Sequence, residues 1–127
     1  MAYQKYLQLL NEGKDIWNKY RHDEMYDVPD FNGADLSNRD LRGFNFVNTF
    51  FEGAHLMGSN FSRCYMAHSY LKGADFSSAH MIDTNLSKCE LIDAKFTGVD
   101  LSHTGFSDSN LTGADFQKTS RWRGCWR

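Results

Sequence analysis

No apolar run in the 127 residues exceeds a few side chains, so nothing in the chain is long enough to cross a bilayer. The N-terminus also lacks the apolar core and small-residue cleavage site of a secretory signal, and a cytoplasmic protein is expected. Cysteine is scarce: Cys64, Cys89 and Cys125 are odd in number and lack metal-ligand spacing, which argues against a disulfide framework or a zinc site. Neither sign of charge dominates. With 14 Lys and Arg against 16 Asp and Glu the formal charge is -2, too small to suggest a nucleic-acid binder. The balance runs from about -1 over residues 1–28 and about -4 over 29–118 to about +3 over the last nine residues. No phosphate loop, nucleophile elbow or His-Glu-x-x-His helix is present, so no catalytic, metal or cofactor site is expected and the chain does not read as an enzyme.

What the chain does have is a period. From Phe31 to Phe116 every fifth residue is Leu, Phe or Met, eighteen positions without exception. A five-residue step moves a side chain about 140° around an α-helix and so builds no stripe. In a plain strand an odd step would put successive large residues on opposite faces. Both conflicts disappear if each unit is a short extended piece followed by a turn, so that the chain coils. With the large residue as centre, the residue two before it shares its inward side and is small, as at Ala34, Thr49, Ala54, Ser59, Cys64, Ser69, Ala74 and Ala79. The residue one before it points outward and is often polar, as at Asp35, Asp40, Asn60, Asp75 and Asn85.

Four such units would close a coil, because columns repeat at twenty: Ala34, Ala54, Ala74, Ala94 and Ala114 form one, and Gly33, Gly53, Gly73 and Gly113 a second that Asp93 interrupts. The glycine corner predicts a positive φ, as in a type II turn, and different turns are expected at the other three corners. The units "ADLSN", "SNFSR", "ADFSS", "TNLSK", "VDLSH", "SNLTG" and "ADFQK" resemble those of the pentapeptide-repeat proteins. The resemblance implies an all-β solenoid, a right-handed quadrilateral parallel β-helix, here of about 4.5 coils and about 21 Å tall.

A solenoid needs caps at its apolar ends. Over residues 3–21 the spacing of Tyr3, Leu7, Leu10, Trp17 and Tyr20 predicts amphipathic helix, broken at Gly13 into two short pieces. "LLNEGKDIWNKYR" also resembles a lead-in found in cyanobacterial members of the family. The expected organisation is a helical cap and linker over 1–28, the solenoid over 29–120, and an aromatic, basic tail over 121–127. Arg39 and Phe44 occupy inward positions meant for small residues, which suggests a first coil opened or distorted there beneath the helix. Trp122 and Trp126 read as a C-terminal cap or a homodimer contact.

On the outside, Phe50 and Tyr70 stand one coil apart where polar residues are the rule, and they should stack. Tyr65 and Val47 belong to the neighbouring side, and Glu52 and Lys72 flank the pair, the composition of a recognition patch. A helix or a second subunit covering these aromatics is the alternative. His22, His55, His68, His80 and His103 scatter over different sides and read as solvated, while Cys64 and Cys89 read as core and the Cys125 thiol lies outside the repeat. The functional expectation is a non-catalytic protein-interaction or scaffolding module, with neither membrane nor nucleic acid as its partner. The family also contains DNA mimics that bind DNA gyrase. A column of about 21 Å would need roughly twelve negative charges for that role, and the repeat nets far fewer.

Overall fold

A computed structural model describes residues 3–121. Two helices, α1 (Gln4–Asn11) and α2 (Lys14–Asp23), precede the repeat and are separated at Gly13, whose φ of 102° a residue with a side chain would rarely adopt. From Asp30 onward the chain coils with four corners in every twenty residues. Fifteen parallel bridges join outward residues twenty apart, from Asp30↔Phe50 to Asp100↔Ser120. The backbone alternates its bonding: Phe31 donates its N–H forward to Phe50 O (2.8 Å), and Phe50 donates back to Pro29 O (2.9 Å). Pro29, with no N–H of its own, suits an edge where only a carbonyl is used.

The large residues fill the interior. The centres from Phe31 to Phe106 are 0–2% exposed, and Leu111 and Phe116 are half-buried at the far end. Fixed stacking at twenty residues lays rings face to face: Phe76 on Phe96 and Phe96 on Phe116, each at 5.1 Å and within 5° of parallel. The small inward residues have a second duty when they carry a hydroxyl or thiol. Ser59, Ser69, Thr84, Ser109 and Thr119 donate to the carbonyls of Leu36, Phe46, Phe61, Leu86 and Phe96, the centre twenty-three residues earlier in each case. Ser59 and Ser69 also accept N–H bonds from Arg39 and Thr49, so each hydroxyl bridges the two ends of a turn in the coil beneath. A buried hydroxyl without such partners would cost stability.

Every one of the eighteen corners has φ between 53° and 74°, which corrects the expectation that only the glycine column does so. Seven corners are Gly, and eleven are Asn, Asp, Ser, His, Arg or Lys held in the left-handed region. Many corners close with a hydrogen bond from the fourth residue of the turn to the first, such as Ala34 N to Phe31 O (3.0 Å) and Cys64 N to Phe61 O (3.0 Å). Positive φ at the third residue is the type II pattern. The coiling requires it at every corner, so sequence variety there reflects tolerance rather than a change of turn.

The helices lie against the first coil, whose lower edge has no coil beneath it. Trp17 is fully buried, with its ring 5.7 Å from Phe31 and 5.6 Å from Phe46. Its Nε1 donates to Asn45 O (2.8 Å), Asn18 Nδ2 donates to Gly43 O (3.1 Å), and Asn18 Oδ1 accepts from Asn45 N (2.8 Å). Arg21 donates Nη1 to Asp27 O (3.0 Å) and Nη2 to Val47 O. Four edge groups between Gly43 and Val47 are thus paired by side chains of α2, where unpaired buried backbone would be costly.

The anticipated opening at Arg39 and Phe44 is absent, because the bridges Asp40↔Asn60 and Asn45↔Tyr65 keep the register. Phe44 fits inside the first coil and stacks on Phe46 (5.8 Å, 14°), since α2 rather than another coil lies beneath it. Arg39 turns its guanidinium to Asn11 Oδ1 (2.7 Å) at the end of α1.

Candidate protein-interaction surface

The outward position before each centre has a physical rule. All ten Asp and Asn residues found there accept the backbone N–H two residues on: Asp30, Asp35, Asp40, Asn45, Asn60, Asp75, Asn85, Asp100, Asn110 and Asp115, at 2.9–3.3 Å. Such Asx turns satisfy a donor at the start of the corner. An aromatic side chain cannot accept this bond. Phe50, Tyr65 and Tyr70 therefore forgo this local stabilisation, Tyr65 between Asn45 and Asn85 that both have it and Phe50 one coil above Asp30 that has it too.

Phe50 and Tyr70 are brought together, with ring centroids 4.8 Å apart at 34° and their backbones bridged. Phe50 is half-buried and Tyr70 is 37% exposed. Tyr65 is 57% exposed on the neighbouring side, bridged to Asn45, and Val47 on that side is half-buried with its carbonyl taken by Arg21. Glu52 and Lys72 are exposed beside the aromatic pair, and they form no ion pair among the described residues. The Glu52 N–H is instead held by Asn32 Oδ1 at 2.8 Å. Tyr70 also edges a groove of about 460 Å³ with Asn48, His68, Lys88 and Glu90.

Sequence reading missed a second groove, of about 700 Å³, where the start of α2 meets the corner at Gly43 and Arg63. Lys14, Asp40, Arg42, Arg63 and Tyr65 line it. Only the docking of α2 assembles it, and no spacing in the sequence signals that contact.

The titratable groups elsewhere are structural in character. Asp27 accepts from Tyr20, from Tyr6 (3.0 Å) and from Lys5 (3.3 Å), and the Tyr20 hydroxyl above all holds its carboxyl below the usual range. Burial pushes the Cys64 and Cys89 thiols up to about 12, so they stay protonated and donate to Leu41 O (2.7 Å) and Met66 O (3.0 Å). Neither is a nucleophile. All five histidines are exposed, and no group of residues suited to hold a metal ion occurs among the described residues. Among these residues no helix is long and apolar enough to cross a membrane. Trp122, Cys125 and Trp126 lie outside the described residues.

Comparison with known proteins follows the coil. A pentapeptide repeat protein of the Arabidopsis thaliana thylakoid lumen is 28% identical with a TM-score of 0.58, the match covering 68% of this chain and 64% of that one. Rfr23, from the cyanobacterium Cyanothece 51142, is 26% identical with a TM-score of 0.58 over 73% of this chain and 60% of its own. HetL, a pentapeptide repeat protein involved in heterocyst differentiation regulation from Nostoc sp. strain PCC 7120, has a TM-score of 0.61 at 18% identity, over 78% of this chain and 54% of its own. The chain spans less than two thirds of each of these structures. A search of curated proteins found no match. The family description "Pentapeptide repeats" matches in eight copies, over residues 34–73, 59–98, 69–108 and 89–120. With that match over most of the chain, and bridges at twenty residues throughout it, the chain belongs to the pentapeptide repeat family, whose members fold as right-handed quadrilateral β-helices.

Proposed function

We propose that this protein is a non-catalytic interaction module, a column of about 4.5 coils over 29–120 that presents Val47, Phe50, Glu52, Tyr65, Tyr70 and Lys72 to a protein partner in the cytoplasm. In this reading residues 1–28 form a helical cap and linker, and Trp122 and Trp126 in the 121–127 tail close the other end or meet a second copy. One observation carries the proposal: aromatics replace the turn-closing Asp or Asn at Phe50, Tyr65 and Tyr70, and all three keep part of their surface open. Positions that give up a local rule are where function is sought, and here only the Phe50–Tyr70 ring contact offsets the loss. Exposed aromatics rimmed by Glu52 and Lys72 have the composition of a recognition surface.

Mimicry of DNA, as in a gyrase inhibitor or protector, takes second place. Duplex DNA carries one charge per about 1.7 Å, whereas an outward column such as Asp35, His55, Asp75, Lys95, Asp115 alternates acids with other groups. Failure to affect gyrase supercoiling would remove that reading. The interaction reading is tested by co-purification from the native cell, comparing the wild type with a folded Phe50→Lys/Tyr70→Lys variant. A partner recovered only with the wild type supports it, and a partner retained by the variant places the contact elsewhere.

A further inference from the structure

We infer that the groove between the start of α2 and the corner at Gly43 and Arg63 receives an acidic peptide segment of the protein partner, an assignment that rests on the interaction reading and gives that partner its chemistry. The evidence is a surplus of positive charge in a concave place, Lys14, Arg42 and Arg63 against Asp40. Arg42 is engaged by Asp40 through Nε (2.8 Å) and Nη2 (2.6 Å), so these two neutralise each other. Lys14 and Arg63 line the same groove and join no ion pair among the described residues. Two positive charges thus converge on a space of about 700 Å³ in a protein whose formal charge is -2.

Local construction supports the same assignment. Gly43 lacks the Cβ that would stand 3.3 Å from Lys14 Cδ, so the lysine stem lies across the bare corner. Arg63 stands one coil above, about 4.8 Å away along the column, at the same corner that the lysine stem crosses. It holds φ at 62°, a conformation the neighbouring Gly43 adopts without steric penalty. Gly13, which starts α2 without a side-chain cap, also lines the groove and adds the positive end of the helix, with Asp15 in the first turn partly opposing it. Tyr65 supplies an exposed ring at the rim for an apolar neighbour of the acidic residue. Two charges and one ring suit a short protein segment. A polynucleotide would run on past the groove and lay further phosphates over the exposed Asp83, at the same corner one coil above Arg63.

The test is selection of a displayed random peptide library on the immobilised full-length protein. Selected peptides should carry Asp or Glu within a few residues of an aromatic or aliphatic side chain. A synthetic copy should bind at least tenfold more weakly to Lys14→Glu/Arg63→Glu, keep its affinity for Arg63→Lys and for Phe50→Lys/Tyr70→Lys, and weaken as salt rises. Thermal melts establish that each variant is folded. Selected peptides without acidic residues, or unchanged binding by the charge-reversed variant, overturn the assignment. So does a fifteen-residue oligothymidylate that binds more tightly than the peptide and is lost with the same variant. If the native partner is lost with Phe50→Lys/Tyr70→Lys while selection yields nothing acidic, the interaction reading stands and the groove assignment fails.

Discussion

Tyr65→Asn should make the protein more stable while weakening its hold on a partner. The coil below has Asn45 at the equivalent position, accepting from Val47 N at 3.0 Å, and the coil above has Asn85, accepting from Ser87 N at 2.9 Å. An asparagine between them would complete an uninterrupted column and accept from the N–H of Ala67. That bond contributes about 0.5–1.5 kcal/mol. Against it stands the loss of a tyrosine that is 57% exposed, whose strand preference counts for at most about 1 kcal/mol and less at an open position. The net expectation is a gain of about 0.5 kcal/mol, or a melting temperature higher by about 2 °C for a chain of this size. Matched thermal and urea melts measure it, with an unchanged urea slope showing that the same surface is exposed on unfolding. A loss of more than about 1 kcal/mol would refute the reasoning, because Tyr65 would then be a structural residue.

Three further outcomes follow from the same geometry. Phe96→Ala, which empties a fully buried site between two stacked rings, should cost about 3–5 kcal/mol in denaturant melts, while Lys95→Ala next to it stays within about 0.5 kcal/mol; similar costs would disprove the inward and outward assignment. Gly58→Ala should cost more than Gly33→Ala, since both hold a φ of 70° but only the first would bring a Cβ within 2.4 Å of Asn38 Oδ1; equal losses of about 1–2 kcal/mol would mean that conformation alone matters. The network on Asp27 should weaken in acid. Its depressed folded-state pKa means that its stabilisation is complete above the unfolded carboxylate value of about 3.9 and is lost as pH falls through the lower folded value. Asp27→Asn should flatten the melting temperature across that range, and an unchanged acid dependence would show that other carboxylates control it.

The coil was legible because its cause is periodic: a core residue every fifth position, and columns every twentieth, survive any choice of surface residue. The Phe50 and Tyr70 contact followed from the same arithmetic. Corner geometry was not legible, because glycine is only the least costly solution to a positive φ, and Arg63, Lys88 and Asp93 adopt it as well. The preference for Asp and Asn before each centre was visible, but its reason, a bond to the backbone two residues on, needs the turn to be seen. The edge-pairing role of α2 was hidden for another reason. Apolar spacing put Trp17 on the apolar stripe of a capping helix, whereas Asn18 and Arg21 look like ordinary solvated side chains until the unpaired carbonyls of Gly43 and Val47 are placed beside them. The groove is invisible at sequence level because Lys14 and Arg63 meet only through that docking.

The measurement that bears most directly on the account is quantitative recovery of partners from the native cell by tagged wild type, Tyr65→Asn and Phe50→Lys/Tyr70→Lys, each first shown to melt cooperatively. The account predicts one protein, distinct from the bait, that is abundant with the wild type, reduced with Tyr65→Asn and lost with the double variant. Equal recovery with all three, or only a second copy of the chain released by the double variant, would contradict the claim that these aromatics are kept for a separate protein partner.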